Sequence, residues 1–317
     1  MQASTFTLPG AGGAQLFVYR WLPEGAPKAV VQIAHGLAEH AGRYARLAEG
    51  LTGAGYAVYA DDHRGHGRTA PTPGDLGFFA ERGGWQSCVD DLWLLNRRIA
   101  ADHPGLKIVL LGHSMGSFLV QQFISEHGDA LAGAVLSGSG GKPSPLAAAG
   151  RLVARIERLR LGARGKSALI HALSFAAFNK PFEPARTPFD WLSRDPAEVD
   201  KYAADPLCGF RASVQLWIDL LDALADIARP ERQARIPKRL PIYVIAGSRD
   251  PVGENTKSLE QLLAAYRAAG LERVTHRFYD GARHEILNET NRDEVTRDLV
   301  AWLDATTASL NSSNPLP

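Results

Sequence analysis

Short apolar runs alternate along the chain with longer segments in which apolar residues recur every three or four positions. The short runs predict buried strands at residues 14–21, 28–34, 56–60, 108–111, 132–137, 241–247 and 274–279. The periodic segments predict helices at 44–53, 85–101, 257–269 and 292–306, with a further helix directly after residue 114. This alternation predicts an α/β fold, in which helices cover both faces of a mostly parallel sheet.

The alternation stops between residues 140 and 238, where Ala, Arg, Leu and aromatic residues dominate and no strand pattern is found. We interpret residues 140–238 as a helical cap inserted into an α/β core formed by residues 1–139 and 239–317. The first cap helix, residues 150–161, has Leu152, Val153, Ile156 and Leu159 on one face and Arg151, Arg155 and Arg158 beside it. We favour packing of this apolar face on the core. The alternative is contact with anionic lipid headgroups.

Composition narrows the class of protein. The 317 residues are 45% hydrophobic and 22% charged, which is typical of a globular domain, and the net charge of +1 gives no indication of nucleic-acid binding. Two cysteines, Cys88 and Cys208, are consistent with a reducing compartment. We find neither a secretory signal pattern nor an apolar run long enough to span a membrane, and therefore expect a cytoplasmic protein.

The sequence Gly112-His113-Ser114-Met115-Gly116 lies between a predicted strand and a predicted helix. A G-x-S-x-G motif in this context predicts a nucleophile elbow, a sharp turn that exposes the serine hydroxyl at the N-terminus of a helix. Glycines two positions before and after the serine prevent steric clashes in so tight a turn. We therefore predict Ser114 as a nucleophile.

A serine hydroxyl needs a histidine base and a carboxylate that orients the histidine, and in this type of fold they follow in the chain order serine, acid, histidine. His284 is the histidine that follows the last predicted strand, and we predict it as the base. Asp250 follows the 241–247 strand and is our predicted acid. Asp280, four residues before His284, is the rival.

An ester or amide carbonyl under attack also needs an oxyanion hole. We predict the backbone N–H groups of Met115 and Leu37 as its donors, because Leu37 lies in the glycine turn after an early strand. Residues 61–67, which read Asp-Asp-His-Arg-Gly-His-Gly, could suggest a metal cluster. Their spacing does not match a zinc site, and we interpret them as a loop that braces the active-site face. No metal or organic cofactor is expected.

Several motifs are similar to those of one group of enzymes. They are the oxyanion loop 35–40 (His-Gly-Leu-Ala-Glu-His), the loop 62–67, the elbow 112–116, the cap segments 193–195 and 205–208, and the loops 247–251 and 281–284. Together they resemble monoacylglycerol lipases and lysophospholipase-like α/β-hydrolases, which are grouped with serine aminopeptidases. The resemblance extends from about residue 15 to 305. It implies a triad of Ser114, Asp250 and His284, with Leu37 and Met115 as oxyanion donors.

The resemblance also favours a substrate class, an ester with a single acyl chain. Monoacylglycerol is the first expectation, with a lysophospholipid or a small carboxylic ester as alternatives. Phe178, Phe182, Trp191 and Trp217 are the cap residues expected to line an acyl-chain site. A peptidase would instead need acidic cap residues, such as Glu183, Asp190, Asp195 and Glu198, to bind an α-ammonium group. A non-catalytic binding protein is disfavoured because every predicted catalytic residue is present.

Overall fold

A computed structural model describes residues 1–143 and 145–308. Eight strands form one sheet: β1 (Gln2–Pro9), β2 (Gln15–Leu22), β3 (Ala29–Ala34), β4 (Tyr56–Asp61), β5 (Ile108–His113), β6 (Gly133–Ser137), β7 (Ile242–Gly247) and β8 (Val274–Tyr279). Their order across the sheet is β1-β2-β4-β3-β5-β6-β7-β8. The six strands from β4 to β8 in this order pair in parallel, whereas the pairings of β1 with β2 and of β2 with β4 are antiparallel. The predicted α/β fold is therefore confirmed.

The β1 strand was missed in the sequence pattern. Most of its side chains are exposed, and it pairs only with β2 at the edge of the sheet. An edge strand with little burial has no apolar run to reveal it. The central strands β3 to β7 are buried along their whole length, which explains why their apolar runs were clear.

Eleven α-helices are found in the described residues: α1 (Ala45–Gly53), α2 (Gly84–Asp102), α3 (Met115–His127), α4 (Pro145–Leu161), α5 (Ala168–Leu173), α6 (Phe175–Asn179), α7 (Pro196–Ala204), α8 (Val214–Ile227), α9 (Pro230–Gln233), α10 (Lys257–Ala268) and α11 (Arg292–Ala308). Apolar residues of α1 and α11 pack on one face of the sheet, and those of α2, α3 and α10 pack on the other. None of the helices in the described ranges is long and apolar enough to cross a bilayer.

Helices α4 to α9 lie between β6 and β7, in the region predicted as the cap. The expected packing of the first cap helix on the core is wrong, because Leu152, Ile156 and Leu159 of α4 are 63%, 56% and 90% exposed. The buried side of α4 is instead formed by Ala154 and Glu157. Glu157 is accommodated there because its carboxylate accepts hydrogen bonds from Arg160 and Ser167.

The basic residues of α4 also have a structural role. Arg151 binds Asp222 of α8 at 2.7 Å, and Arg155 lies 3.7 Å from the same carboxylate. These ion pairs hold α4 against α8. Among the described side chains of α4, Leu152, Ile156 and Leu159 are the large apolar ones left exposed.

Candidate active site

The turn at Ser114 joins β5 directly to α3. Ser114 has φ 52° and ψ −120°, and its N–H donates to the Ser137 carbonyl at the end of β6 at 2.9 Å. A Cβ on Gly112 would lie 2.4 Å from the Gly116 oxygen, and one on Gly116 would lie 2.1 Å from the Ala34 oxygen. Both positions therefore require glycine, and the strained serine is held by the backbone around it.

His284 and Asp250 lie together in the loops that follow β8 and β7. The Nδ1 atom of His284 is 2.9 Å from Oδ1 and 3.0 Å from Oδ2 of Asp250, and both side chains are buried. A Cβ on Gly247 would lie 2.1 Å from the Ala282 oxygen, so glycine allows the two loops to pack closely. The rival carboxylate, Asp280, is directed instead towards the Ser248 hydroxyl at 3.3 Å.

Four loop ends meet at this edge of the sheet. A Cβ on Gly36, after β3, would lie 3.2 Å from the Cβ of Ser114, and one on Gly138, after β6, would lie 3.0 Å from Cε1 of His284. The serine, the histidine and the predicted oxyanion loop thus converge where the parallel strands end. Reactive groups in α/β folds are found at this edge.

Electrostatics favour a single base. Burial lowers the pKa of His284, but the charges of Asp250, Glu285 and Glu39 outweigh burial, so the pKa is raised above its ordinary value. The ring of His113 lies 4.8 Å from that of His284, and burial together with His284 lowers the pKa of His113 to about 4. His113 is therefore neutral at pH 7 and leaves the protonation of His284 undisturbed.

The loop after β3 is held from both sides. Within the core, the Gly36 N–H donates to Glu39 at 2.6 Å. From the cap, the Tyr202 hydroxyl and the Gly209 N–H each donate to the Ala38 carbonyl at 2.9 Å. Ala38 has φ 59°, a left-handed conformation that is unfavourable for a residue with a Cβ. The cap therefore helps to hold this loop in a strained shape.

The two predicted oxyanion donors lie on either side of Ser114. Leu37 is in the strained loop, and Met115 is the first residue of α3. Within the described ranges, neither backbone N–H makes a hydrogen bond, so both are free to bind a ligand oxygen. At Met115, the dipole of α3 adds to the attraction of an anion.

A buried ionic network lies behind this loop, and the sequence did not reveal it. Arg43 donates to Glu39 at 2.6 Å and, through both terminal nitrogens, to Glu285 at 2.7 Å. Burial raises the pKa of Glu285, but Arg43 outweighs burial and lowers it to about 2. Glu39 and Arg43 are four residues apart, which is a local signal, whereas Glu285 joins them from 242 positions away.

Aromatic residues of the cap cover His284. The Trp191 ring lies 4.9 Å from the His284 ring, and Phe175 and Phe178 pack against Trp191. The indole Nε1 of Trp191 is buried and has no hydrogen-bond partner in the described residues.

The other two predicted substrate residues lie at the border of this aromatic cluster. The Phe182 ring lies beneath the guanidinium of Arg283 at 4.3 Å. Trp217 on α8 reaches the cluster only through Phe175, with ring centroids 5.9 Å apart. The structure thus packs both Phe178 and Phe182 against the apolar cluster that contains Trp191, and Trp217 reaches it through Phe175.

The loop after β4 braces the oxyanion loop. The Asp62 carboxylate accepts the N–H groups of Ala41 and Arg68 at 2.8 and 2.7 Å. The His63 N–H donates to Nε2 of His35, and burial, together with His63 and His66, lowers the pKa of His35. These groups are occupied with backbone contacts, as expected of a bracing loop.

An eight-stranded, mostly parallel sheet with a serine elbow and a histidine–aspartate pair at the ends of its strands defines an α/β-hydrolase. A family model described as serine aminopeptidase, S33, matches residues 25–291. The chain belongs to this family.

Individual relatives show which kind of enzyme within this family the chain resembles. The monoacylglycerol lipase of Mycolicibacterium smegmatis is 30% identical over 95% of this chain and 96% of its own length. Human monoglyceride lipase is 30% identical over 97% of this chain and 93% of its own. The crystal structure of a thermostable carboxyl esterase from Bacillus coagulans has a TM-score of 0.89 at 28% identity and covers 97% of this chain and 99% of its own. The chain is thus a monoacylglycerol lipase-like α/β-hydrolase.

Proposed function

We propose that this enzyme hydrolyses monoacylglycerols through an acyl-enzyme on Ser114. It is a carboxylic ester hydrolase by similarity to the lipases, and the observation that carries the proposed mechanism is the buried His284–Asp250 pair beside the Ser114 elbow. The named relatives favour glycerol as the alcohol of the ester.

In the proposed reaction, the same groups act first in the acylation of Ser114 and again in the hydrolysis of the acyl-enzyme. The Ser114 hydroxyl attacks the ester carbonyl while His284 takes its proton, and Asp250 remains ionised and stabilises the imidazolium. The N–H groups of Leu37 and Met115 bind the oxyanion, each contributing about 3 kcal/mol in the transition state. His284 then protonates the leaving glycerol, and water releases the fatty acid by the same steps.

We propose that the acyl chain lies against the aromatic cluster of the cap. Trp191, whose ring lies 4.9 Å from the His284 ring, belongs to an apolar cluster on which Phe178 and Phe182 both pack, and Trp217 reaches it through Phe175. This arrangement supports an apolar chain next to the reacting carbonyl.

A peptidase function is less well supported. Asp190 accepts hydrogen bonds from Arg186 and Thr187, and Asp195 pairs with Arg292. Glu198 is likewise paired with one basic side chain of α1 and one of α7. These three carboxylates are therefore committed to partners within the protein, rather than directed at the α-ammonium group of a peptide, whereas Glu183 is exposed.

We further propose that the enzyme acts on the cytoplasmic side, with the cap in contact with a lipid surface. Leu152, Ile156 and Leu159 on α4, and Leu169 and Leu173 on α5, are exposed large apolar residues. Such a face can enter the headgroup region and collect a substrate that partitions into lipid.

Binding to vesicles of neutral phosphatidylcholine tests this contact. Leu159→Ser should weaken binding about 30-fold, because burial of a leucine contributes about 2 kcal/mol. Leu94→Ser is the matched control, since Leu94 is exposed on α2 of the core. Equal binding by both variants and the wild type would exclude contact through α4.

The proposed reaction is tested with a panel of a monoacylglycerol, a lysophospholipid, p-nitrophenyl butyrate and an aminoacyl amide. Ser114→Ala should lower kcat by a factor on the order of 10⁴ or more on every ester while the fold is retained. Asp250→Asn should lower kcat by about 10⁴-fold, and Asp280→Asn should be nearly normal. The reverse order of the two aspartate variants would replace the acid, and preference for the amide would replace the substrate class.

A further inference from the structure

We propose that His40, Asp205 and Cys208 form a zinc site that joins the core to the cap and slows ester hydrolysis when it is filled. One ligand atom from each of the three side chains lies within 4.8 Å of the other two. Imidazole, carboxylate and thiolate are the three side-chain types that bind Zn²⁺, and three protein ligands leave a fourth position for water.

The geometry is close to that of a metal site. In a tetrahedral zinc site with bonds of about 2.0–2.3 Å, ligand atoms lie about 3.3–3.7 Å apart. The His40–Asp205 pair, at 3.0 Å, is already slightly closer than that, and no ligand atom of the cluster is more than 4.8 Å from another, so an ion requires a rearrangement of at most about 1 Å. Asp205 and Cys208 belong to one turn, closed by a hydrogen bond from the Cys208 N–H to the Asp205 carbonyl at 3.0 Å. Their side chains are therefore presented together by a single local structure.

His40 completes the cluster from the core side. Its Nε2 is 3.0 Å from Oδ2 of Asp205, and its Nδ1 is buried without a hydrogen-bond partner in the described residues. The ring can therefore exchange its contact with Asp205 for a metal bond without breaking a second hydrogen bond.

The charges around the cluster favour a cation. The Asp205 carboxylate accepts hydrogen bonds from His40 and from the Leu207 N–H. Glu39, Glu285 and Asp62 add negative charge nearby, and Arg43 is the cation that opposes them at the thiol. The local balance is therefore negative.

Forming the zinc–sulfur bond releases the thiol proton of Cys208 to solvent. A groove of about 290 Å³ borders His40 and Asp205 and gives an ion a path from solvent.

The site is coupled to catalysis by its neighbours. Tyr202 and Gly209, on either side of Asp205 and Cys208, donate to the Ala38 carbonyl in the oxyanion loop. His40 follows Leu37, the proposed donor, by three residues. Rearrangement of these ligands around an ion therefore moves the oxyanion loop, and a displacement of about 1 Å can lower turnover by about 100-fold.

The test uses the whole protein with Zn²⁺ and, as a spectroscopic probe, Co²⁺. Co²⁺ should bind one ion per chain with a thiolate-to-cobalt charge-transfer band, and Zn²⁺ should displace it. Hydrolysis of p-nitrophenyl butyrate should fall at least tenfold at saturating Zn²⁺ and recover with a chelator. Cys208→Ser should retain basal activity but need about 100-fold more Zn²⁺ for half-inhibition, and His40→Gln should bind Co²⁺ at least about tenfold more weakly.

Cys88→Ala is the matched control, because Cys88 is the other cysteine, is buried, and lies in α2 of the core. This variant should keep the cobalt band and the sensitivity to zinc. If His40→Gln does not fold, Cys208→Ser alone tests the proposed zinc site. Absence of the band, or equal zinc sensitivity of Cys208→Ser and the wild type, would overturn the proposal. The band is read without substrate, so its outcome is independent of the proposed lipase activity.

Discussion

Tyr202→Phe tests whether the cap holds the oxyanion loop in its active shape. The substitution removes the hydroxyl that donates to the Ala38 carbonyl at 2.9 Å and keeps the aromatic ring. The carbonyl retains the Gly209 N–H, also at 2.9 Å, so the substitution does not leave a buried acceptor unpaired. The expected loss is therefore that of one ordinary hydrogen bond.

The size of the effect follows from the strain at Ala38. Its left-handed conformation, φ 59°, costs about 1–2 kcal/mol for a residue with a Cβ, and two hydrogen bonds of about 1 kcal/mol each offset that cost. Without the Tyr202 hydroxyl, the strained loop loses about 1 kcal/mol of support. We expect kcat to fall about fivefold, with KM nearly unchanged, because the loop acts on the oxyanion of the transition state.

Steady-state kinetics with p-nitrophenyl butyrate measures this effect, and Ala38→Gly supplies the decisive comparison. Glycine adopts a positive φ without strain, so Tyr202→Phe combined with Ala38→Gly should lower kcat by less than about twofold relative to Ala38→Gly alone. Tyr266→Phe is the matched control, since the Tyr266 hydroxyl is buried without a partner in the described residues, and its kcat should be unchanged. An equal loss in both backgrounds, or a change confined to KM, would refute this role for Tyr202.

Two further predictions concern the base and the elbow. Because His284 accepts a proton only when neutral and its pKa is raised above 6.5, kcat/KM should be lost as the pH falls, with a midpoint above 6.5 that Asp250→Asn moves downwards; an unshifted midpoint in a pH–rate profile would contradict this. Gly116→Ala should destabilise the fold by more than about 3 kcal/mol in urea unfolding, since its Cβ would lie 2.1 Å from the Ala34 oxygen. Gly53→Ala, at an unobstructed helical position, should stabilise the fold by about 0.5 kcal/mol, and similar effects at the two glycines would contradict the packing argument.

Sequence reasoning was most successful where the signal is local. The buried run of β5, the glycines around Ser114 and the periodic face of α3 are contiguous, and together they predicted the elbow turn. His284 and Asp250 required one further step, the placement of β7 and β8. That step succeeded because both strands end in short loops at the same edge of the sheet.

The features that escaped prediction depend on distant partners. The pairing of Arg43 with Glu285 joins residues from opposite ends of the chain, and no spacing rule relates them. The predicted orientation of α4 was wrong for a related reason. Its apolar stripe does not specify whether that face is turned towards the core or towards solvent. The orientation of the helix is instead fixed by Asp222 of α8, which binds Arg151. Hydrophobic periodicity identifies a face but not its partner.

The insertion of the cap between β6 and β7 has a consequence for biosynthesis. The ribosome delivers the chain from its N-terminus, so Ser114 and the strands β1 to β6 emerge before any cap helix. Asp250 and His284 follow only after the whole cap. A nascent chain therefore carries the elbow serine without its proposed base until the cap and two further strands have been made. Under the proposed mechanism, hydrolysis becomes possible only once synthesis has passed His284.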